Sequence, residues 1–229
     1  FSGCSTLPRP GAFAPRKGDE IMVAGHWVHT GTRVVTWMDP GGYDAYRVER
    51  RFVPLDKADW DETKAAGAIK SPNRFGLRTR NLTPEQKEAV RGGGWDLAPL
   101  RGVVDQFVIH YDVAGTSRRC FQVLHDNRGL SVHFMLDVDG TIYQTLDLKE
   151  RAWHATIAND RSVGIEIANM GAYPVQSAGK DDPLAKWYAK SHDGHTRLII
   201  PGDLEKSGIR DRSRPLMPAR DEPVVGTVQ

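Results

Sequence analysis

The stretch "RSVGIEIANMG", residues 161–171, decides how this chain is read. Val163, Ile165 and Ile167 alternate with small or polar positions, which is the period of a half-buried β-strand. Glu166 stands in the middle of them. A carboxylate flanked by apolar residues on a strand is costly unless it is paired, or unless its environment serves chemistry. The plain reading is a salt bridge to Arg151 or Arg161 on the face of a sheet; the other is a functional carboxylate.

Working outward, "VVDQFVIHYD" (103–112) reads as a strand and "TSRRCFQVLHDN" (116–127) as a helix capped near Thr116 or Ser117. "SVHFMLDVDGTIYQ" (131–144) is a hairpin turning at Asp139-Gly140, and "DLKERAW" (147–153) a short helix or turn. Strands interleaved with helices predict an α/β fold, a mixed β-sheet flanked by helices. Upstream, residues 20–54 read as short strands broken by "HTGT" and "DPGGYD", and "PEQKEAVRGG" (84–93) as a helix with Thr83 as N-cap. The organisation expected is a linker over 1–19, a small β-rich N-terminal extension over 20–98, and a main domain over 99–229. Within the last, 172–229 is rich in Pro, Gly and charge and reads as a long insertion.

The 229 residues are 39% hydrophobic and 26% charged, ordinary values for a globular protein. A net charge of +2 without a dense Lys/Arg cluster argues against nucleic acid as a partner. No apolar run approaches the length of a membrane span. Two cysteines, Cys4 and Cys120, make no disulfide framework and no CxxC pair. The opening "FSGC" is similar to a bacterial lipoprotein box, with Cys4 as the lipidated residue and a Pro/Gly-rich linker after it. Motifs of the HExxH, GxSxG, GxGxxG and P-loop kinds are absent from the sequence.

Four pieces carry the chemistry: His110 closing "FVIHYD", His133 in the hairpin segment, Trp153-His154 in "RAWHA", and Glu166 in "SVGIEIAN". In this order and spacing they resemble the type 2 zinc-dependent N-acetylmuramoyl-L-alanine amidases, a family that includes the T7-type lysozyme and the peptidoglycan recognition proteins. The resemblance runs from about 103 to 170, and 20–100 looks more loosely like the N-terminal extension of a bacterial lipoprotein subgroup. It implies His110 as a Zn2+ ligand, Glu166 as the catalytic carboxylate of the AmpD-like branch, and Trp153 and His154 at the substrate cleft. Tyr111 is expected to line the same cleft, and His133 to be structural or cleft-lining. Val132 occupies the place of the T7-type tyrosine, which favours the glutamate mechanism.

Residue chemistry suits that role. A metal with an open coordination position polarises an amide carbonyl and lowers the pKa of its water to about 7. A neighbouring carboxylate takes the water's proton and returns it to the leaving amine. The resemblance also implies two further ligands downstream, a histidine in a "GH" turn and an Asp or Cys. The nearest imitation is "DGHTRLIIPGD", with His195 and Asp203. The expectation is that the chain stops before the last helix and the ligand motif, and is inactive by itself. The function expected of the whole is hydrolysis of the bond between N-acetylmuramic acid and L-alanine, in murein or soluble muropeptides. The location expected is the bacterial cell envelope, with membrane contact only through the lipid anchor. Two rivals stand beside it: a non-catalytic peptidoglycan-binding module with the same cleft, and an independent carbohydrate- or partner-binding domain over 20–100.

Overall fold

The computed structural model describes residues 8–46, 75–78, 82–86, 96–171, 184–202, 206–213 and 215–218. Cys4, Asp203 and the helix expected beyond Gln86 lie outside these residues. The first described strands are β1 (Glu20–Val23), β2 (His26–His29), β3 (Val34–Thr36) and β4 (Gly76–Leu77). Helix α1 (Leu97–Val103) leads into β5 (Gln106–Tyr111), and α2 (Ser117–Phe121) into β6 (Phe134–Leu136) and β7 (Ile142–Gln144). Then come β8 (Glu150–Arg151), β9 (Ser162–Ile167), β10 (Tyr188–Lys190) and β11 (Thr196–Leu198).

Five of these strands make one mixed sheet, in the order β3-β7-β6-β9-β5. β9 runs parallel to both β5 and β6, β7 is antiparallel to β6, and β3 runs parallel to β7. This is the α/β mixed sheet the sequence predicts. β3 comes from the 20–98 segment, so that segment and the main domain share a sheet. Thr116 caps α2 by accepting from the Arg119 amide, and the helix continues as a π-helical turn over Gln122–Asn127. Cys120 and Phe121 from α2 pack on Val35, Val132, Met135 and Tyr143 of the sheet side, forming the main core. At the hairpin, Gly140 has φ +84°, which is why Asp139-Gly140 turns the chain there.

The N-terminal hairpin docks on this sheet through polar clamps. Met22 of β1 exchanges two hydrogen bonds with the Gln144 side chain, at 2.8 Å each, as a neighbouring strand would. The Asp147 carboxylate accepts the amides of Ala24 and Gly25, both 2.8 Å, and so holds the tight turn between β1 and β2. Both turn residues have positive φ, 49° and 80°. That turn splits the stretch the sequence suggested would break first at "HTGT".

Two local expectations are corrected. "DLKERAW" contains a strand, because Glu150 and Arg151 find an antiparallel partner in Leu77 and Gly76. Local propensity cannot reveal a partner some seventy positions away. Helix α1, capped by Asp96, precedes the β5 strand, where the reading had only an apolar run from 103. The Thr83 cap does form: its hydroxyl accepts from the Gln86 amide while the Gln86 side chain accepts from the Thr83 amide, a capping box. Among the described residues no helix is long and apolar enough to cross a membrane.

Asp147→Ala leaves two turn amides without their charged acceptor. It is expected to destabilise the fold by about 2–4 kcal/mol, read from urea unfolding.

Candidate functional site

Register places the site. His110 on β5 pairs with Glu166 on β9, and Glu166 in turn pairs with Met135 on β6. The three parallel strands thus present His110 and Glu166 side by side near their C-terminal ends, where open α/β sheets commonly hold ligands. Tyr111 is one residue on and points from the opposite face, exposed, together with Phe107 and Ile109. Tyr111, expected to line the cleft, thus lies on the face of β5 opposite His110.

His154 arrives from the loop before β9 and lies across Gly164. A Cβ on Gly164 would come within 2.4 Å of the His154 ring, so glycine is required for the imidazole to rest on the strand. His154 then stands between two other rings: its centroid is 5.0 Å from that of His133 and 5.8 Å from that of His110. The loop is shaped by Asn159, whose side-chain oxygen accepts the amides of His154 and Ala155.

Hydrogen bonding assigns the protons along this row. The Gly164 amide points at His133 Nδ1, and an amide only donates, so Nδ1 is unprotonated. Arg78 Nη2 lies 3.2 Å from His133 Nε2, but its two protons go to the Leu148 and Ser162 carbonyls, so Nε2–H is the donor, to the Glu150 carbonyl at 3.0 Å. His154 Nε2 lies 2.8 Å from His133 Nδ1 and must donate to it. That leaves His154 Nδ1 as a bare nitrogen, buried and without a partner among the described residues, as is His110 Nε2. Burial lowers the pKa of all three: for His110 by desolvation alone, for His154 to about 3, where the charges of His110 and Arg78 add, and for His133 far down. The row stays neutral near pH 7.

Arg78 stands behind the row, fully buried. Its guanidinium donates to the backbone carbonyls of Leu148, Asn159, Asp160 and Ser162. Those carbonyls bracket the loop that carries Trp153 and His154. The sequence reading missed Arg78, and "RFGLRTR" offers no signal that separates it from Arg80.

Glu166 answers the opening question. Neither proposed salt bridge forms: Arg151 pairs with Asp160 and lies over the Trp153 ring, and Arg161 pairs with Asp105. No side-chain hydrogen bond or ion pair joins Glu166 to a described residue. Burial, with the nearby Asp112 charge adding, raises its pKa to about 7. Asp112 spends one oxygen on the amides of Ala114, Gly115 and Asn169, and its other oxygen is buried with no hydrogen-bond partner found among the described residues.

The remaining candidates fall as follows. Trp153 is half-buried beside His154, while His133 has no exposed surface, so of its two readings the structural one fits. His195 is exposed in the turn joining β10 and β11. The buried His110 Nε2, without a hydrogen bond among the described residues, is one donor of the kind zinc takes, and one imidazole by itself does not complete a zinc site. Among the described residues no three-donor cluster includes His110 or His195.

Comparison with known proteins comes to the same segment. Residues 100–203 match the model of the N-acetylmuramoyl-L-alanine amidase family, under half of the chain. No curated protein matches the chain. A crystal structure of a selenomethionine derivative of AmpD aligns at 18% identity, over 47% of this chain and 64% of that one, with a TM-score of 0.25. At that TM-score the likeness carries no argument, and the chain spans under two thirds of its length.

Gly164→Ala drives a methyl into the His154 ring, and His154 cannot yield without losing His133. The expected cost is about 1–3 kcal/mol by denaturant unfolding, with displaced His154 ring resonances in the NMR spectrum.

Proposed function

We propose that this protein is a peptidoglycan amidase, hydrolysing the amide between the N-acetylmuramoyl lactyl group and L-alanine of the stem peptide. The observation that carries the reading is Glu166: a half-buried carboxylate with no partner among the described residues, pKa about 7, on the strand next to the bare His110 Nε2. The family match over 100–203 supports the same chemistry.

Zinc held at His110 would supply Lewis acidity and a water of lowered pKa, with His195 and Asp203 the candidates for further ligands. Glu166, ionised above about pH 7, accepts a proton from the attacking water as its oxygen bonds to the carbonyl carbon. The same carboxyl hands that proton to the L-alanine nitrogen as the C–N bond breaks, releasing a muramoyl carboxylic acid and a free amine. His133 fixes His154, and Trp153 forms a wall beside it for the glycopeptide. Lipidation at Cys4 would place the enzyme in the bacterial envelope, against murein or periplasmic muropeptides.

Glu166→Gln in the full-length protein is expected to lower stem-peptide release about 10²–10⁴-fold while muropeptide binding and zinc content persist. Wild-type protein that binds muropeptide and releases nothing would instead be a recognition module. The wild-type kcat/KM should rise with pH to a plateau, with its midpoint near 7.

Stability has the opposite sign. A carboxyl with folded pKa about 7 and unfolded pKa 4.5 holds more protons when folded, so its contribution falls as pH rises from about 4.5 to 7. The buried imidazoles oppose this below about 6.5, so the difference between variants is the useful quantity. Glu166→Gln should gain stability over wild type between pH 5 and 8; an unchanged difference contradicts the assignment.

A further inference from the structure

A second donor cluster lies away from the imidazole row, at the open end of the β1–β2 hairpin. Glu20, the first residue of β1, pairs across the ladder with His29, the last of β2. Cross-strand partners share a face, so the two side chains meet, and Asp19 joins them. One ligand atom from each of the three lies within 4.8 Å of the others. His29 Nδ1 stands 3.2 Å from Asp19 Oδ2 and 4.0 Å from Glu20 Oε1. The His29 side chain is 8% exposed, and Nδ1 is buried without a hydrogen bond among the described residues.

The surroundings prepare this geometry. Glu20 is 1% exposed, and its Oε2 accepts the amides of Lys17 at 2.6 Å and Gly18 at 3.1 Å, which turns Oε1 toward His29. Thr30 donates both its amide and its hydroxyl to the Asp19 carbonyl, fixing the backbone beneath the Asp19 carboxylate. Arg16 is the cation nearby, 3.8 Å from Glu20 Oε2 and also paired with Asp39. Three carboxylates against one guanidinium leave an excess of negative charge around a buried imidazole nitrogen.

We propose that Asp19, Glu20 and His29 bind a divalent transition-metal ion of the Zn2+ type, which clips the open end of the hairpin. One imidazole nitrogen and two carboxylate oxygens form a borderline donor set, suited to Zn2+ and poor for Ca2+, which takes six to eight oxygens. The site is structural and separate from His110, so it stands whether or not the chain is an amidase.

The test uses the His110→Ala chain, which removes the zinc donor proposed at the imidazole row. Calorimetric titration with Zn2+ alone should give one ion per chain, with no binding of Ca2+, and Zn2+ should raise the thermal midpoint. Asp19→Asn or His29→Asn added to this background should weaken Zn2+ binding at least tenfold and abolish the thermal shift. Asp19→Asn also serves as the folding control, because Thr30 holds the Asp19 carbonyl and not its side chain. Zinc binding undiminished in both variants, or absent from the His110→Ala chain, would overturn the site.

Discussion

The buried guanidinium of Arg78 is the constraint on which the functional face depends. A cation with no exposed surface is tolerable only when every N–H is satisfied, and here four backbone carbonyls do so without a carboxylate in direct contact. Burial still lowers its pKa to about 10, so it remains charged under any working condition. The carbonyls belong to both ends of the loop from 148 to 162. One side chain therefore fixes where Trp153 and His154 can lie and where β9 begins, and β9 carries Glu166.

From that anchor the proton order runs outward. Glu150 offers its carbonyl to His133, His133 accepts from His154, and His154 ends on a bare nitrogen beside His110. A carboxyl titrating near 7 beside a neutral row suits the general-base role proposed for Glu166. The burial that would suit Glu166 to the proposed proton transfer makes it destabilising once ionised. In the proposed reaction, function and stability pull against each other at a single carboxylate.

Much of this was legible in the sequence where the signal was local. The alternation in "SVGIEIAN", the Asp139-Gly140 turn and the Thr116 cap each follow from the chemistry of a few neighbours, and each is found. His110 and Glu166 were readable as candidates because each interrupts an apolar strand. Contacts that close over long distances were not readable. Arg78 meets carbonyls seventy to eighty-four positions away, β8 exists only because β4 lies beside it, and the Asp19-Glu20-His29 cluster appears only once β1 and β2 are in register. Tyr111 follows a simpler rule: adjacent residues of a strand face opposite ways, so it stands on the face away from His110.

The measurement that bears most directly on this account is a long-range 1H–15N NMR spectrum of the imidazoles in metal-free protein at pH 7. The structure requires His133 and His154 both to be neutral with the proton on Nε2, and His154 Nδ1 to carry an unprotonated nitrogen shift. A proton on His154 Nδ1, or a charged His133, would contradict the ordered row and with it the basis for reading this face as a catalytic site.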